Sequence, residues 1–149
     1  EQAPDKVIFA VCLVDLYCLG VKDAFANANF PRARFERELH RICKDAPQEC
    51  SVELAHEIIY GAIEYAQRYG FSPHPDFTRR MVDKVLDPPD AHPRSGKVEF
   101  GKDGMPLYIS GPFDDFQKIT QVLNTLERTC GENFRYLVAF DKDELPDEI

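Results

Sequence analysis

The sequence has no surplus of positive charge. Lys and Arg total 18 against 26 Asp and Glu, so the formal net charge is −8. A surface that binds phosphate groups needs an excess of Lys and Arg, which disfavours a nucleic acid or an anionic membrane as a direct ligand. The one cationic cluster, residues 32–41, interleaves Arg with Glu. It predicts a solvated helix face, although a local basic groove stays open.

The sequence also lacks a long apolar run. The longest, VIFAVCLV at residues 7–14, is far shorter than the roughly 20 residues of a membrane-spanning helix. It has no basic flank followed by a cleavage site of small residues, so it is not predicted to be a signal peptide. We therefore expect no membrane partner.

Paired cysteines are missing as well. The five cysteines are scattered and none are in C-x-x-C spacing: Cys12, Cys18, Cys43, Cys50 and Cys130. An odd, scattered set does not describe a disulfide framework, and a zinc ribbon or redox pair would need the C-x-x-C signature. The pattern predicts reduced, mostly buried thiols and hence a cytoplasmic location.

Several catalytic motifs are absent. The sequence contains no G-x-x-x-x-G-K-[ST], G-x-G-x-x-G or G-x-S-x-G, so no nucleotide cofactor and no hydrolase elbow of these types is predicted. A zinc protease would need a second His four positions after His56, but Tyr60 occupies that position. We therefore interpret His56 as a helix residue bonded to a neighbouring strand or loop.

What is present describes one globular domain. The chain has 149 residues, of which 44% are hydrophobic and 30% are charged, within the range of a single folded unit over residues 1–149. It begins with Glu1 rather than Met, which leaves open that it is a piece of a longer protein. Residues 141–149 are predicted to form an acidic flexible tail.

The hydrophobic periodicity predicts alternating strands and helices. The expected elements are a strand over 7–14, helices over 16–26, 32–44, 52–69 and 76–86, a hairpin turning at 102–104, a helix over 115–130 and a strand over 134–140. This order indicates an α+β fold, with a small and mostly antiparallel sheet of about four strands covered by four to five helices.

Five polar residues are candidate catalytic or metal-binding groups. His74 lies between Pro73 and Pro75, and Asp76 follows Pro75. Because the two prolines stiffen the chain, His74 and Asp76 could bind a metal or act as a base with its orienting carboxylate. Asp114 and Asp115 could hold Mg²⁺ or Mn²⁺. Asp15 ends an apolar strand, where a metal-dependent nuclease could place a ligand. For each Asp, capping of a helix or turn is the alternative.

The leading interpretation is a non-enzymatic cytoplasmic module that binds another protein or another domain of its parent chain. Its interface would use aromatic side chains: Tyr17, Tyr60, Phe77, Tyr108 and Phe113. The alternative is a hydrolase or nuclease dependent on a divalent metal, with a metal-activated water and His74 as ligand or general base. A toxin or defence component could use either chemistry.

Three segments carry a resemblance to known proteins. VCLVDLYCLGVKDAF, AHEIIYGAIEYAQRYGFSPHPDF and FGKDGMPLYISGPFDD are similar to a group of uncharacterised bacterial proteins over roughly residues 7–140. In some members this region precedes a C-terminal SEC-C-type metal-binding module. The resemblance implies a bacterial cytosolic context and no particular activity. This chain lacks the Cys-rich SEC-C tail, so a zinc function of that tail does not carry over.

Overall fold

A computed structural model describes residues 5–139 of the chain. Four strands and four helices follow one another along them: β1 (Lys6–Asp15), β2 (Gly20–Pro31), α1 (Arg32–Ile42), α2 (Val52–Arg68), α3 (Arg79–Val82), β3 (Leu107–Ile109), α4 (Phe116–Cys130) and β4 (Arg135–Leu137). The predicted α+β class is confirmed. The predicted tail at 141–149 lies outside the described residues.

β1 and β2 form an antiparallel hairpin. The helix predicted over 16–26 is wrong, because β2 begins at Gly20, whose positive φ of 73° closes the turn after β1. A Cβ at this position would lie 3.0 Å from both the Ala62 carbonyl oxygen and the Ala66 Cβ of α2. Close approach to α2, together with pairing to β1, thus overrides the local preference of this segment.

α2 is the central helix. Ser51 caps its start by accepting the Leu54 N–H at 3.1 Å, and Gly70 follows its end with a φ of 91°, both as the sequence predicts. Gly61 gives the close approach that the sequence predicts, because a Cβ there would overlap the Phe100 ring. α3 is shorter than the helix predicted over 76–86, since Thr78 caps it two residues later than expected and only one turn forms.

The strands form two separate two-stranded sheets among the described residues. The predicted single sheet is therefore wrong. The turn predicted at 102–104 is present as a single antiparallel bridge between Lys102 and Met105, but no pair of strands extends from it, because β3 pairs in parallel with β4. The amides of Gly101 and Leu107 donate to the carbonyl groups of Leu16 and Tyr17, in the turn after β1. These donors are therefore satisfied by the first hairpin and not by a local partner strand.

Two apolar clusters form the core. One joins the turn after β1 to β3 and α4 and contains Cys18, Leu19, Tyr108, Ile119, Val122 and Leu126. The other joins β2 to α2 and contains Val21, Ala24, Tyr60 and Ile63. Leu19 and Val21 are two residues apart in the chain, so the start of β2 links the clusters and positions the loop at 70–76 beside it.

Candidate functional site

Asp15 caps the turn between β1 and β2. Its two carboxylate oxygens accept the amide N–H groups of Tyr17 and Leu19, each at 2.9 Å. The capping alternative given by the sequence therefore describes its hydrogen bonding, with a tight turn in place of the predicted helix. Among the described residues, Asp15 is not part of a group whose ligand atoms converge.

Asp114 and Asp115 have different partners although they are adjacent. Asp115 is the N-cap of α4 and accepts the Lys118 N–H at 2.8 Å, as its capping alternative predicts. Asp114 accepts the Tyr108 hydroxyl at 2.8 Å and the Gly111 N–H at 2.9 Å through the same oxygen. The two carboxylates thus stabilise the β3–α4 connection separately.

The surroundings of Asp114 favour its charged form. Burial raises its pKa, but the Gly111 amide, the Tyr108 hydroxyl and the ammonium groups of Lys22 and Lys118 outweigh burial, so the pKa lies below the usual Asp value. Burial raises the pKa of Tyr108, and the hydrogen bond to the Asp114 carboxylate raises it further. Tyr108 therefore remains a hydrogen-bond donor at neutral pH.

His74 and Asp76 converge with a third residue, Asp23 of β2. One ligand atom from each of these side chains lies within 4.8 Å of the other two. The loop is fixed to β2 because the His74 N–H donates to the Val21 carbonyl at 2.9 Å. Asp76 does not cap α3, since Thr78 takes that position, so its carboxylate is available beside the His74 ring.

A β-bulge directs Asp23 towards this group. Val14 pairs with Val21 and Leu13 with Asp23, so Lys22 is an additional residue in β2. A one-residue insertion reverses the face to which the following side chains point. Val21 is therefore buried against α2, whereas Asp23, two residues later, is exposed. The bulge places a carboxylate beside His74 that a regular strand would have turned inward.

His74 and Asp114 line one cavity of about 540 Å³ between β2, the loop at 70–75 and α4. Lys22 and Lys118 add two ammonium groups to its wall. Asp115 belongs to a separate depression on the outer side of α4. The cavity wall therefore carries groups of both charge signs, and His74 belongs both to this wall and to the group with Asp23 and Asp76.

His56 and Glu57 are structural partners of the loop at 87–96. The buried His56 ring donates from Nε2 to the Pro88 carbonyl at 2.7 Å, as its interpretation predicts. Glu57 accepts the Ser95 N–H at 2.9 Å and the Ser95 hydroxyl at 3.1 Å. The Ser95 backbone hydrogen bond lowers the Glu57 pKa most, followed by the hydroxyl. Both residues thus attach a loop without regular structure to α2.

The five aromatic interface candidates divide by burial. Tyr60 and Tyr108 are 5% and 0% exposed, so the expectation that their rings lie on the surface is wrong: they fill the two apolar clusters. Phe77 is half-buried against the second cluster. Phe113 is 97% exposed and Tyr17 is 38% exposed, so these two rings remain accessible.

β1 has a free edge beside an apolar cleft. The strand pairs with β2 on one side, and on its other side no backbone group of residues 6–15 bonds to another group within residues 5–139. A cleft of about 470 Å³ follows this strand. Its walls come from β1, α2 and the segment around α3 and include Ala10, Cys12, Val14, Ile58, Val82 and Leu86.

Two features of the surface are missing from the sequence-based candidates. Asp23 was hidden because its segment is predicted to be helical, and only recognition of the bulge would have paired it with His74. The β1 edge has a visible signal, a charge-free run over residues 7–14, but whether such a strand is central or at an edge depends on its pairing.

None of the helices within residues 5–139 is sufficiently long and apolar to cross a bilayer. The thiols of all five cysteines are free.

Comparisons with other proteins identify no relative of this chain. No protein-family model matches it, and no curated protein or solved structure matches it either. The resemblance to the bacterial group therefore stays a prediction.

Proposed function

We propose that this chain is a cytoplasmic protein-interaction module. It binds an extended segment of another protein, or of another domain of its parent chain, by adding that segment as a strand to β1. The observation that carries this proposal is the free edge of β1 along the apolar cleft. In this mode, backbone hydrogen bonds supply affinity and pockets for alternate side chains supply specificity.

The backbone of β1 offers the required hydrogen bonds. An edge strand presents a row of unpaired N–H and C=O groups, and natural proteins usually protect such edges with Lys, Pro or a covering element. Residues 7–14 of β1 contain neither charge nor proline. The other strand of the hairpin, β2, carries Lys22, Asp23, Asn27 and Asn29, so β1 is the favoured acceptor.

The cleft supplies the side-chain pockets. Ala10, Cys12 and Val14 line it from β1. Side chains alternate across a strand, so every second residue of an added strand would enter the cleft and the others would lie beside Leu13, which is 58% exposed. A segment with apolar residues at alternate positions fits both surfaces.

The charge of the chain distinguishes between partners. A net charge of −8 makes two copies of this chain repel each other, and it attracts segments with flanking Lys or Arg. We therefore propose a different polypeptide, and not a second copy, as the occupant of the β1 edge.

The test is selection from a library of short random peptides, followed by measurement of dissociation constants. We expect enrichment of alternating apolar residues with basic flanks. Leu13→Lys should weaken the selected peptides about tenfold or more, because it places a charge on the added strand's path. Leu137→Lys is the matched control, since Leu137 is an equally accessible strand residue, 66% exposed, in the other sheet.

Three outcomes would contradict the proposal. The first is enrichment of peptides whose apolar residues do not alternate. The second is that Leu13→Lys and Leu137→Lys weaken peptide binding equally. The third is self-association of the free protein that Leu13→Lys abolishes, which would assign the edge to a second copy.

A hydrolase dependent on a divalent metal is the second candidate function. It is favoured by one observation: His74 lies both in the group with Asp23 and Asp76 and in the wall of the polar cavity. Such an enzyme would use a metal-activated water with His74 as ligand or base. A chain that binds no divalent cation at these residues cannot act in this way.

A further inference from the structure

We propose that Asp23, His74 and Asp76 form a binding site for a divalent first-row transition metal ion such as Mn²⁺ or Zn²⁺. The site is independent of the β1 edge, because it involves the opposite edge of the hairpin and the loop at 70–76. Its three ligand atoms already lie within 4.8 Å of one another.

Two structural constraints bring these side chains together. The bulge at Lys22 turns Asp23 outward, and the bond from the His74 N–H to the Val21 carbonyl fixes the loop to the same strand. Pro73 and Pro75 flank His74 and restrict the backbone on both sides of it. The bulge in β2 and the hydrogen bond of the loop to β2 therefore hold the three side chains beside one another.

Both carboxylates have an oxygen that can bind a cation. Asp23 uses Oδ1 to accept the Ala24 N–H at 2.8 Å, which leaves Oδ2. Neither Asp23 nor Asp76 is paired with Lys or Arg within residues 5–139. Two carboxylates this close repel each other without a cation between them, and a bound metal ion would remove that repulsion.

The His74 ring has a suitable tautomer. Its Nδ1 accepts the Asp76 N–H at 3.0 Å, so Nδ1 carries a lone pair and the neutral ring carries its proton on Nε2. Nδ1 also lies 3.9 Å from Asp76 Oδ2. Metal bonds of about 2.0–2.2 Å bring two ligands of one ion closer than this. Binding through Nδ1 therefore requires a small rotation and replacement of the hydrogen bond from the Asp76 N–H by the metal bond.

The donor set selects the class of metal. One imidazole nitrogen with two carboxylate oxygens suits Mn²⁺ and Zn²⁺, whereas Ca²⁺ and Mg²⁺ prefer oxygen ligands alone. Three protein ligands on an exposed surface leave positions for water or for a ligand in the adjoining cavity. Binding should therefore be moderate in strength.

Calorimetric titration of the whole chain with Mn²⁺, Zn²⁺ and Mg²⁺ tests the site, with all thiols kept reduced. We expect one Mn²⁺ per chain and weak or no binding of Mg²⁺. Asp23→Asn and His74→Ala should each reduce Mn²⁺ affinity tenfold or more. His92→Ala is the matched control, because His92 also contacts a carboxylate, Asp87, at 2.7 Å, but without a third ligand.

Line broadening of NMR signals by Mn²⁺ gives a readout that does not depend on affinity. The amides of residues 21–24 and 74–76 should broaden first if the ion lies among the three side chains. The proposal is overturned if no Mn²⁺ binds, if the broadening centres elsewhere, or if His92→Ala weakens binding as much as His74→Ala. Asp23→Asn keeps the size of an exposed side chain, so it separates loss of the site from loss of the fold. Asp23→Asn and His74→Ala should leave peptide binding at β1 unchanged. This result distinguishes failure of the metal site from failure of the interaction function.

Discussion

At the scale of single residues, the acidic side chains have three distinct uses. Asp15 and Asp115 satisfy backbone N–H groups at a turn and at a helix start. Asp114 joins β3 to the start of α4 through Tyr108 and Gly111. Within residues 5–139 the Asp23 side chain accepts only the next residue's amide, and it lies beside His74. The Asp23 carboxylate, which accepts only from its neighbour's amide, is therefore available for a ligand.

We expect Asp114→Asn to lower the free energy of unfolding by about 1–2 kcal/mol at pH 7, because it replaces a charged acceptor of two hydrogen bonds. Partial exposure of this carboxylate keeps the figure modest. Its pKa in the folded state is below the unfolded value. Its stabilisation is therefore present above about pH 4, the unfolded pKa, and is lost as the pH falls through the folded value.

Urea unfolding of the unchanged chain and of Asp114→Asn between pH 7 and pH 3 measures this effect. The difference between their free energies of unfolding should shrink as the solution becomes more acidic. Asp90→Asn, at an exposed loop position, is the control, and its free energy of unfolding should stay close to that of the unchanged chain at every pH. A difference that stays constant with pH would show that the charge of Asp114 does not contribute.

At the scale of elements, the first hairpin depends on α2. A two-stranded hairpin alone is marginally stable in water, and here one face of β1 and β2 packs on α2 while Phe9, Phe25, Phe30 and Phe35 form an aromatic cluster on the other face. The helix thus stabilises the strand pair from one side and leaves the edge of β1 open. This arrangement suits a strand that must accept another.

Hydrogen exchange measured by NMR should show alternating protection along β1 in the free protein. Amides that donate to β2 exchange slowly, and the alternate amides, which face the open edge, exchange quickly. The amides of α2 are the internal control and should be slow from Ile58 to Ala66. Uniformly slow exchange over residues 7–14 would mean that the edge is covered, and it would remove the basis for strand addition.

At the scale of the whole molecule, stability rests on the two apolar clusters. Leu126 is fully buried in the first cluster, whereas Leu137 is 66% exposed on β4. Leu126→Ala should therefore cost about 2–5 kcal/mol of unfolding free energy, and Leu137→Ala should stay within about 0.5 kcal/mol. Urea unfolding by far-ultraviolet circular dichroism measures both values.

The same experiment tests whether the clusters unfold together. Leu19, just before β2, belongs to one cluster, and Val21, at the start of β2, belongs to the other, so we expect one cooperative transition. Near-ultraviolet tyrosine signals and the far-ultraviolet signal should then have the same midpoint. Two midpoints, with only one shifted by Leu126→Ala, would contradict this expectation.

Features that depend on neighbouring residues follow from the sequence alone. The periodicity of α2 and α4, the Ser51 cap, the glycine stop at Gly70 and the apolar strand at 7–14 all follow from local chemistry, and all are found in the structure. The α+β class follows from the same pattern. The capping alternatives of Asp15 and Asp115 were also available from the sequence, because Asp is favoured wherever backbone amides lack partners.

The pairing of strands and the meeting of distant side chains come from tertiary packing. β2 is a strand because it pairs with β1 and packs closely on α2 through Gly20, although its residues favour other structures. β3 pairs with β4 across the intervening helix, and Asp23 meets His74 through a bulge and a contact between segments about 50 residues apart in the chain. These outcomes depend on long-range packing, which local sequence patterns do not encode.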